Sequence, residues 1–294
     1  MSTAPLLLQI SDPHFGTEVP AAVRALERLV HEQSPDVVVF SGDITQRATR
    51  AQFDAARAFA DRLGVRDIVA IPGNHDIPLF QLGARLLNPY ARYARAFGDD
   101  LEPVFESDAW LVIGVKTTRR YRHEDGEVSP AQIERVAGRL ARARPGQVRI
   151  VVTHQPVLVT RPEDEVNRLH GRDAAVARWS AAGADLVLGG HIHLPFVRPL
   201  QGAFADCPRA MWAVQAGTAL STRLRSGQPN SVNLVRRSAN DGHGASLSGR
   251  RCTVERWDCP TGDESFVLAA SHDLVLDASD DRAGPRPIEP TTAR

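Results

Sequence analysis

The sequence carries no excess of charge of either sign, because 35 Lys and Arg balance 35 Asp and Glu. No global field therefore exists to hold a polyanion. A dedicated nucleic-acid binder is disfavoured, and any anion site must be built locally. Cysteine is scarce: Cys207, Cys252 and Cys259 are an odd number without Cys-x-x-Cys spacing, which argues against a disulfide framework and a structural zinc knuckle. No apolar run approaches the roughly 18 residues of a spanning helix. Leu6 to Ile10 is too short for an export signal and lacks a basic flank. Reduced thiols with neither span nor leader give the expectation of a cytoplasmic protein with no membrane partner.

What the chain does have is the balance of a soluble globular protein, 43% hydrophobic and 24% charged over 294 residues. That length suits two average domains or one large α/β domain. Apolar β-rich runs alternate with helical patterns. Leu6 to Ile10 precedes a stripe of Val23, Leu26, Leu29 and Val30, and Val37 to Phe40 follows, making one βαβ unit. A helix over about Arg50 to Leu63 leads to Ile68 to Ile71, and Trp110 to Val115, Val148 to Val152 and Leu186 to Leu188 repeat the theme. Short, wholly apolar strands of this kind are buried on both faces. From about Ala210 onward helical periodicity stops, and Met211 to Val214, Ser231 to Val235, Thr253 to Trp257 and Ser265 to Val275 read as strands.

The economical architecture is two facing sheets with helices outside, in a single domain over residues 1–276, with the C-terminal half contributing strands to the second sheet. Residues 78–100 read as a helical insertion, a cap or a homodimer contact, with Leu86, Leu87, Tyr90 and Tyr93 as its apolar residues. Residues 277–294, with Pro285, Pro287 and Pro290 and few large apolar side chains, read as a flexible tail that cannot repay the entropy of ordering.

Metal-type residues fall where predicted strands end: Asp12 and His14, Asp43, Asn74-His75-Asp76, His154, and His191 with His193. Carboxyl ends of strands line the crevice of an open α/β sheet, so five loops deliver these side chains to one place. Asp12/His14 and His191/His193 are i, i+2 pairs, which an extended backbone would point to one side. Such pairs would sit about 6 to 7 Å apart, a spacing that suits one metal or two adjacent metals.

Asp12-Pro-His14, Gly42-Asp43, Gly73-Asn74-His75-Asp76, Thr153-His154 and Gly190-His191-Ile192-His193 occur in that order. Together they resemble the signature of the calcineurin-like metallophosphoesterases. Within that family the sequence is most similar to bacterial class III cyclic-nucleotide phosphodiesterases, also through Ile77-Pro78-Leu79 and Gly217 to Ser221. The resemblance implies the metallo-dependent phosphatase fold, a four-layer αββα sandwich of two facing mixed sheets flanked by helices. It implies that Asp12, His14 and His193 bind one metal, that Asn74, His154 and His191 bind another, and that Asp43 bridges both. His75 would contact the phosphate or leaving oxygen without binding metal, with Asp76 orienting its ring.

Mixed carboxylate, imidazole and amide donors suit Mn, Fe or Zn better than the all-oxygen shell of Mg²⁺ or Ca²⁺. Two divalent ions against two carboxylates and a hydroxide leave about one positive charge, a partner for phosphate. The expected function is hydrolysis of a small phosphodiester, a cyclic nucleotide or related compound, by a metal-bridging hydroxide. A phosphomonoesterase or nuclease of the same fold and a non-catalytic scaffold are the alternatives. His31, His123, His170, His243 and His272 read as solvated histidines, Arg119 and Arg120 as an exposed basic turn, and Arg223 and Arg225 as charges on an edge strand. Lys116 stands where the subgroup resemblance would place Asn, at a strand end expected to border the site.

Overall fold

The structure is a computed structural model, and it describes residues 4–79, 82–122, 124–225, 227–238 and 250–277. The first half alternates strand and helix: β1 (Leu6–Ile10), α1 (Pro20–Gln33), β2 (Val37–Ser41), α2 (Arg50–Arg62) and β3 (Asp67–Ile71). Two short helices, α3 (Leu82–Leu87) and α4 (Ala91–Phe97), lead to β4 (Val104–Glu106) and β5 (Trp110–Gly114). Then follow α5 (Pro130–Leu140), β6 (Val148–Val152), α6 (Arg172–Ala181), β7 (Leu186–Gly189), β8 (Phe196–Pro199) and β9 (Trp212–Gln215). The chain ends in β10 (Asn230–Arg237), β11 (Arg251–Cys259) and β12 (Val267–Val275). Helix starts have local causes. Thr49 and Ser129 accept from the backbone of Gln52 and Gln132 in capping boxes, and Pro20 and Pro130 open α1 and α5 where no donor is needed.

Two six-stranded sheets form, in the orders β12-β11-β10-β1-β2-β3 and β4-β5-β6-β7-β9-β8. Both are mixed: β1, β2 and β3 run parallel while β10 to β12 are antiparallel, and β5, β6, β7 and β9 run parallel between antiparallel β4 and β8. Strand alternation assigns the layers. Leu7, Val37, Val39 and Ile71 face Trp110, Val112, Ile150 and Leu188 across the space between the sheets. Leu6, Leu8, Ile10, Val38 and Phe40 turn the other way onto Leu26, Leu29, Phe53 and Phe59 of α1 and α2. Leu111, Ile113, Val151 and Val187 do the same with Ile133, Val136 and Trp179 of α5 and α6. The result is the expected helix–sheet–sheet–helix sandwich, whose strands are apolar on both faces because both faces are covered.

The C-terminal half contributes β6, β7, β8 and β9 to the second sheet, but its last three strands go elsewhere. Of the strands after Ala210, only β9 joins the β5–β7 sheet, and β10, β11 and β12 extend the first sheet from the side of β1 that β2 leaves open. Within residues 78–100 lie the short helices α3 and α4. Tyr93 of α4 is buried against Phe53 and Phe97, so α4 belongs to the outer helical layer, whereas Leu86 and Leu87 of α3 are exposed. The tail expected from residue 277 lies outside the described residues beyond Asp277. No helix among the described residues is long and apolar enough to cross a membrane.

Candidate metal centre

Loops after β1, β2 and β3 of one sheet and after β6 and β7 of the other bring seven of the named side chains to the seam between the sheets. They form two groups. Asp12, His14 and His193 converge in one, and Asp43, His154 and His191 in the other, with the ligand-type atoms of each group within 4.8 Å of one another. Asn74 joins the second, its Oδ1 lying 3.1 Å from His154 Nε2. In the first, His14 Nε2 and His193 Nε2 are 3.1 Å apart and Asp12 Oδ1 is 3.3 Å from His193 Nε2. Asp43 faces both groups, with Oδ2 3.8 Å from His14 Nε2 and Oδ1 3.3 Å from His154 Nε2.

The backbone that achieves this is not extended. Asp12, His14, Asp43, His191 and His193 have φ of 49°, 45°, 50°, 73° and 54°, so the i, i+2 pairs arise from left-handed turns and not from strand geometry. Each such residue costs on the order of 1 to 2 kcal/mol. Non-glycine strain concentrated in this way marks a place where function and not stability has set the conformation. Two glycines make room. Gly42 has φ +96°, and a β-carbon there would meet the His154 ring, while one at Gly73 would meet the backbone of Asp43.

Hydrogen bonds fix which atoms face inward. His154 Nδ1 lies 2.9 Å from the Ser41 carbonyl and His193 Nδ1 lies 2.7 Å from the Arg223 carbonyl. A carbonyl can only accept, so each Nδ1 carries the proton and each Nε2 turns a lone pair to the centre. His191 Nδ1 is buried with no partner. Lone pairs of two imidazoles, an amide oxygen and two carboxylates thus converge, and the only hydrogen bonds to the carboxylates from outside the imidazoles are those of His191 N and Ser11 Oγ to Asp12 and of His75 N to Asp43 among the described residues, an acceptor-rich arrangement suited to cations. This donor set fits metal ions.

The electrostatics agree. Burial opposes ionisation of Asp12, but the charge and hydrogen bond of His193 overcome it and hold the acid at about 2. Asp43 is likewise buried, and His154 and His75 hold it well below the ordinary carboxylate range. Burial pulls His154 down, yet Asp43 raises it to about 9, so without a metal a proton fills the place of the cation. Burial keeps His14 at about 3 and His191 at about 4, neutral rings able to coordinate.

His75 stands at the cavity wall outside both groups, its ring edge-on to His14 at 4.9 Å between centroids. Its Nδ1 lies 2.9 Å from the Gln46 carbonyl and its Nε2 lies 2.9 Å from Arg223 Nη1. Asp76 does not orient that ring, which corrects the expectation. Its buried carboxylate accepts from Gly73 N (2.9 Å), Ile44 N (3.0 Å), Thr45 N (2.8 Å) and Thr45 Oγ1 (2.8 Å), tying the β2 and β3 loops together. Burial and the charge of Asp43 push Asp76 up to about 6 against the pull of those backbone donors.

Other residues fall differently from the sequence reading. Arg223 and Arg225 lie in the loop after β9, not on an edge strand, and line a cavity of about 250 Å³ with His75, His191, His193 and Asn167. Arg225 pairs with buried Asp164 at 2.6 Å. Arg119 is not in an exposed turn, being bonded to Gln132 and paired with Glu127, whereas Arg120 is exposed as expected. Lys116 is turned from the cavity, its ammonium 5.1 Å from the Tyr90 ring. His31 and His170 are exposed and His272 half-buried, while His123 and His243 lie outside the described residues. The sequence names Gly217 to Ser221, Arg223 and Arg225 but does not place them at the cavity, because this loop carries no ligand-type residue, although the rule that strand carboxyl ends line the crevice extends to β9 as well.

Residues 6–195 match the model of the calcineurin-like phosphoesterase family. A probable cyclic nucleotide phosphodiesterase of Synechococcus sp. is 26% identical over 218 residues, covering 69% of this chain and 79% of that protein. A cAMP/cGMP dual specificity phosphodiesterase of Mycobacterium tuberculosis is 30% identical over 252 residues, 78% of this chain and 75% of that one. Among solved structures, a purple acid phosphatase of yellow lupin superposes with a TM-score of 0.69 at 13% identity, over 100% of this chain and 58% of that one, so this chain spans less than two thirds of that phosphatase. A dimetal phosphatase of Danio rerio gives 0.61 at 11% identity over 94% and 100%. At such identities the structures speak for the fold. The fold and the doubled cluster define the class, metal-dependent phosphoric ester hydrolases. The chain belongs to the calcineurin-like phosphoesterase family.

Proposed function

We propose that the protein hydrolyses a small phosphodiester at a dinuclear metal centre, with cyclic nucleotides as the first candidate substrates. Asp12, His14 and His193 hold one ion, Asn74, His154 and His191 hold the other, and Asp43 bridges. The observation that carries this is Asp43 itself, whose two oxygens face different histidine groups. Manganese, iron or zinc fits the imidazole-rich donors. Bound there, the ion pair supplies positive charge for the phosphoryl oxygens and acidifies water for in-line attack.

The chain's own residues do the rest. The Ser41 and Arg223 carbonyls keep the His154 and His193 rings in one tautomer, and His191 N donates to Asp12 at 3.0 Å to aim that carboxylate. His75, anchored by an Nδ1–H donated to the Gln46 carbonyl, turns Nε2 to the cavity, where its doubly protonated form would donate to the leaving oxygen. Asp76 acts only by holding the loops of Asp43 and Asn74 in register. The working unit is a single domain over residues 1–276.

The preference for a diester rests on the names of the two curated relatives. A phosphomonoesterase is the second reading, favoured by the extra cation Arg223 in the cavity, since a monoester carries one more negative charge. Metal-reconstituted protein assayed against cyclic AMP, bis(p-nitrophenyl) phosphate and p-nitrophenyl phosphate separates them. Faster turnover of the diesters is expected. A monoester preference would sink the diester assignment, and no metal-dependent hydrolysis of any of the three would sink the function.

A further inference from the structure

We infer that Arg223 binds a non-bridging phosphoryl oxygen of the substrate and stabilises the charge that builds there during attack. This rests on the phosphoester reading above. The residue has two separate duties. Its backbone carbonyl receives the Nδ1 proton of His193, while its guanidinium turns into the cavity shared with Asp43, His75 and His191. The loop that carries it is held at several points. Thr218 Oγ1 donates to the Asp12 carbonyl, Thr222 N to the Thr17 carbonyl at 2.9 Å, Asn230 Nδ2 to the Ser221 carbonyl at 2.9 Å, and Arg223 N to Ser221 Oγ at 3.2 Å. The guanidinium is therefore presented from a fixed base.

Its partners mark it as a cation awaiting an anion. Among the described residues Arg223 forms no ion pair with a carboxylate. Nη1 reaches two side chains that are not carboxylates, His75 Nε2 at 2.9 Å and Gln46 Oε1 at 3.2 Å, and among the described residues its remaining donors have no acceptor. The contrast with Arg225 in the same cavity is direct, since Arg225 is neutralised by Asp164. A half-buried guanidinium with unused donors gains most from an oxyanion, which accepts charge-assisted bonds in the planar fork. A phosphoryl oxygen entering the cavity would also replace His75 Nε2 as acceptor, freeing that nitrogen to take up a proton and donate it to the leaving oxygen.

Charge bookkeeping says when the interaction strengthens. A phosphodiester carries one negative charge, and attack by hydroxide forms a P–O bond while that charge rises to two over the phosphoryl and leaving oxygens. When the leaving oxygen departs with its electron pair and takes up a proton, the product of a cyclic substrate is a monoester. A fixed cation beside a non-bridging oxygen thus interacts more strongly with the transition state than with the diester, and lowers the barrier. A monoester already has two charges on arrival, so for it the same contact acts largely in binding.

The test uses the full chain with metals restored, as wild type, Arg223→Gln and Arg223→Lys, each checked by elemental analysis and thermal melting. Every substitution keeps the carbonyl that serves His193, so metal content should stay at the wild-type level. On bis(p-nitrophenyl) phosphate, kcat/KM of Arg223→Gln should fall about 10- to 100-fold, the range of a lost hydrogen bond to a charged group, with the loss in kcat. On p-nitrophenyl phosphate the loss should appear in KM. Inorganic phosphate should bind at least about tenfold more weakly by calorimetry, and Arg223→Lys should recover part of each effect. Unchanged phosphate affinity with kcat/KM within twofold of wild type, or a loss of activity that only follows a loss of metal, would overturn the assignment. Arg223-dependent phosphate binding in a protein that hydrolyses none of these esters would uphold the phosphoryl contact, overturn its part in attack and overturn the proposed function.

Discussion

Replacing Asp76 by alanine should damage the protein as a structural brace and not as a member of the catalytic set. The carboxylate is fully buried and accepts four hydrogen bonds, three from backbone N–H groups of Gly73, Ile44 and Thr45 and one from the Thr45 hydroxyl. Alanine leaves three backbone donors without an acceptor, and a buried unsatisfied group costs about 1 to 3 kcal/mol. Water entering the vacated space offsets part of this, so a net loss of about 3 to 6 kcal/mol is expected, a large share of the roughly 5 to 15 kcal/mol that keeps a domain folded. At roughly 2 to 4 °C per kcal/mol for a chain of this size, the melting temperature should drop on the order of 10 °C. Asp76→Asn, which keeps one acceptor oxygen, should fall between. Urea denaturation and thermal melting, paired with elemental analysis, measure both arms, because the loops freed are those of Asp43 and Asn74 and metal should be lost together with stability. If Asp76→Ala melts like wild type and keeps its metals but loses turnover, the brace is wrong and Asp76 acts through His75 after all.

Asp43→Ala should lower metal content at both positions, since its oxygens face both histidine groups; two metals retained per chain by elemental analysis would remove the bridging role, and loss of one would make it a terminal ligand. His75→Ala should keep its metals while turnover falls about 10² to 10⁴-fold, the range of a lost proton donor or transition-state contact, with a smaller loss for a p-nitrophenyl ester than for an alkyl one. In metal-free protein, stability should peak near pH 6.5. His154, raised to about 9, contributes stability that is lost as pH climbs from 6.5 through 9, and His14 and His191, lowered to about 3 and 4, make unfolding easier below 6.5, where the unfolded chain takes up protons. A pH series of melts in chelator would show this, and a flat profile would contradict it. Deleting residues 281–294 should leave hydrolysis unchanged, because their composition supplies no core; loss of activity on truncation would give the segment a structural task.

The sequence alone determined ten of the strands, the helices that precede β3 and the short blocks of the candidate metal centre, while α5, α6, β4 and β8 were not legible in it. Leu6 to Ile10 or Val148 to Val152 read as buried strands because burial on both faces demands an unbroken apolar run, a property of neighbours a few residues apart. The blocks around Asp12, Asp43, Asn74, His154 and His191 were legible for the same reason, each being a short string at the end of such a run. Tertiary structure decided everything that depends on who meets whom. It sent His191 to Asp43 and His154, and His193, two residues on, to Asp12 and His14, through left-handed φ values that the residue names do not encode. It placed β10 against β1, engaged Asp76 with backbone amides about 30 positions away, and brought Arg223 to His75 across 148. Local burial pattern sets secondary structure. Sheet register and loop conformation, which answer to contacts distant in the chain, set the site.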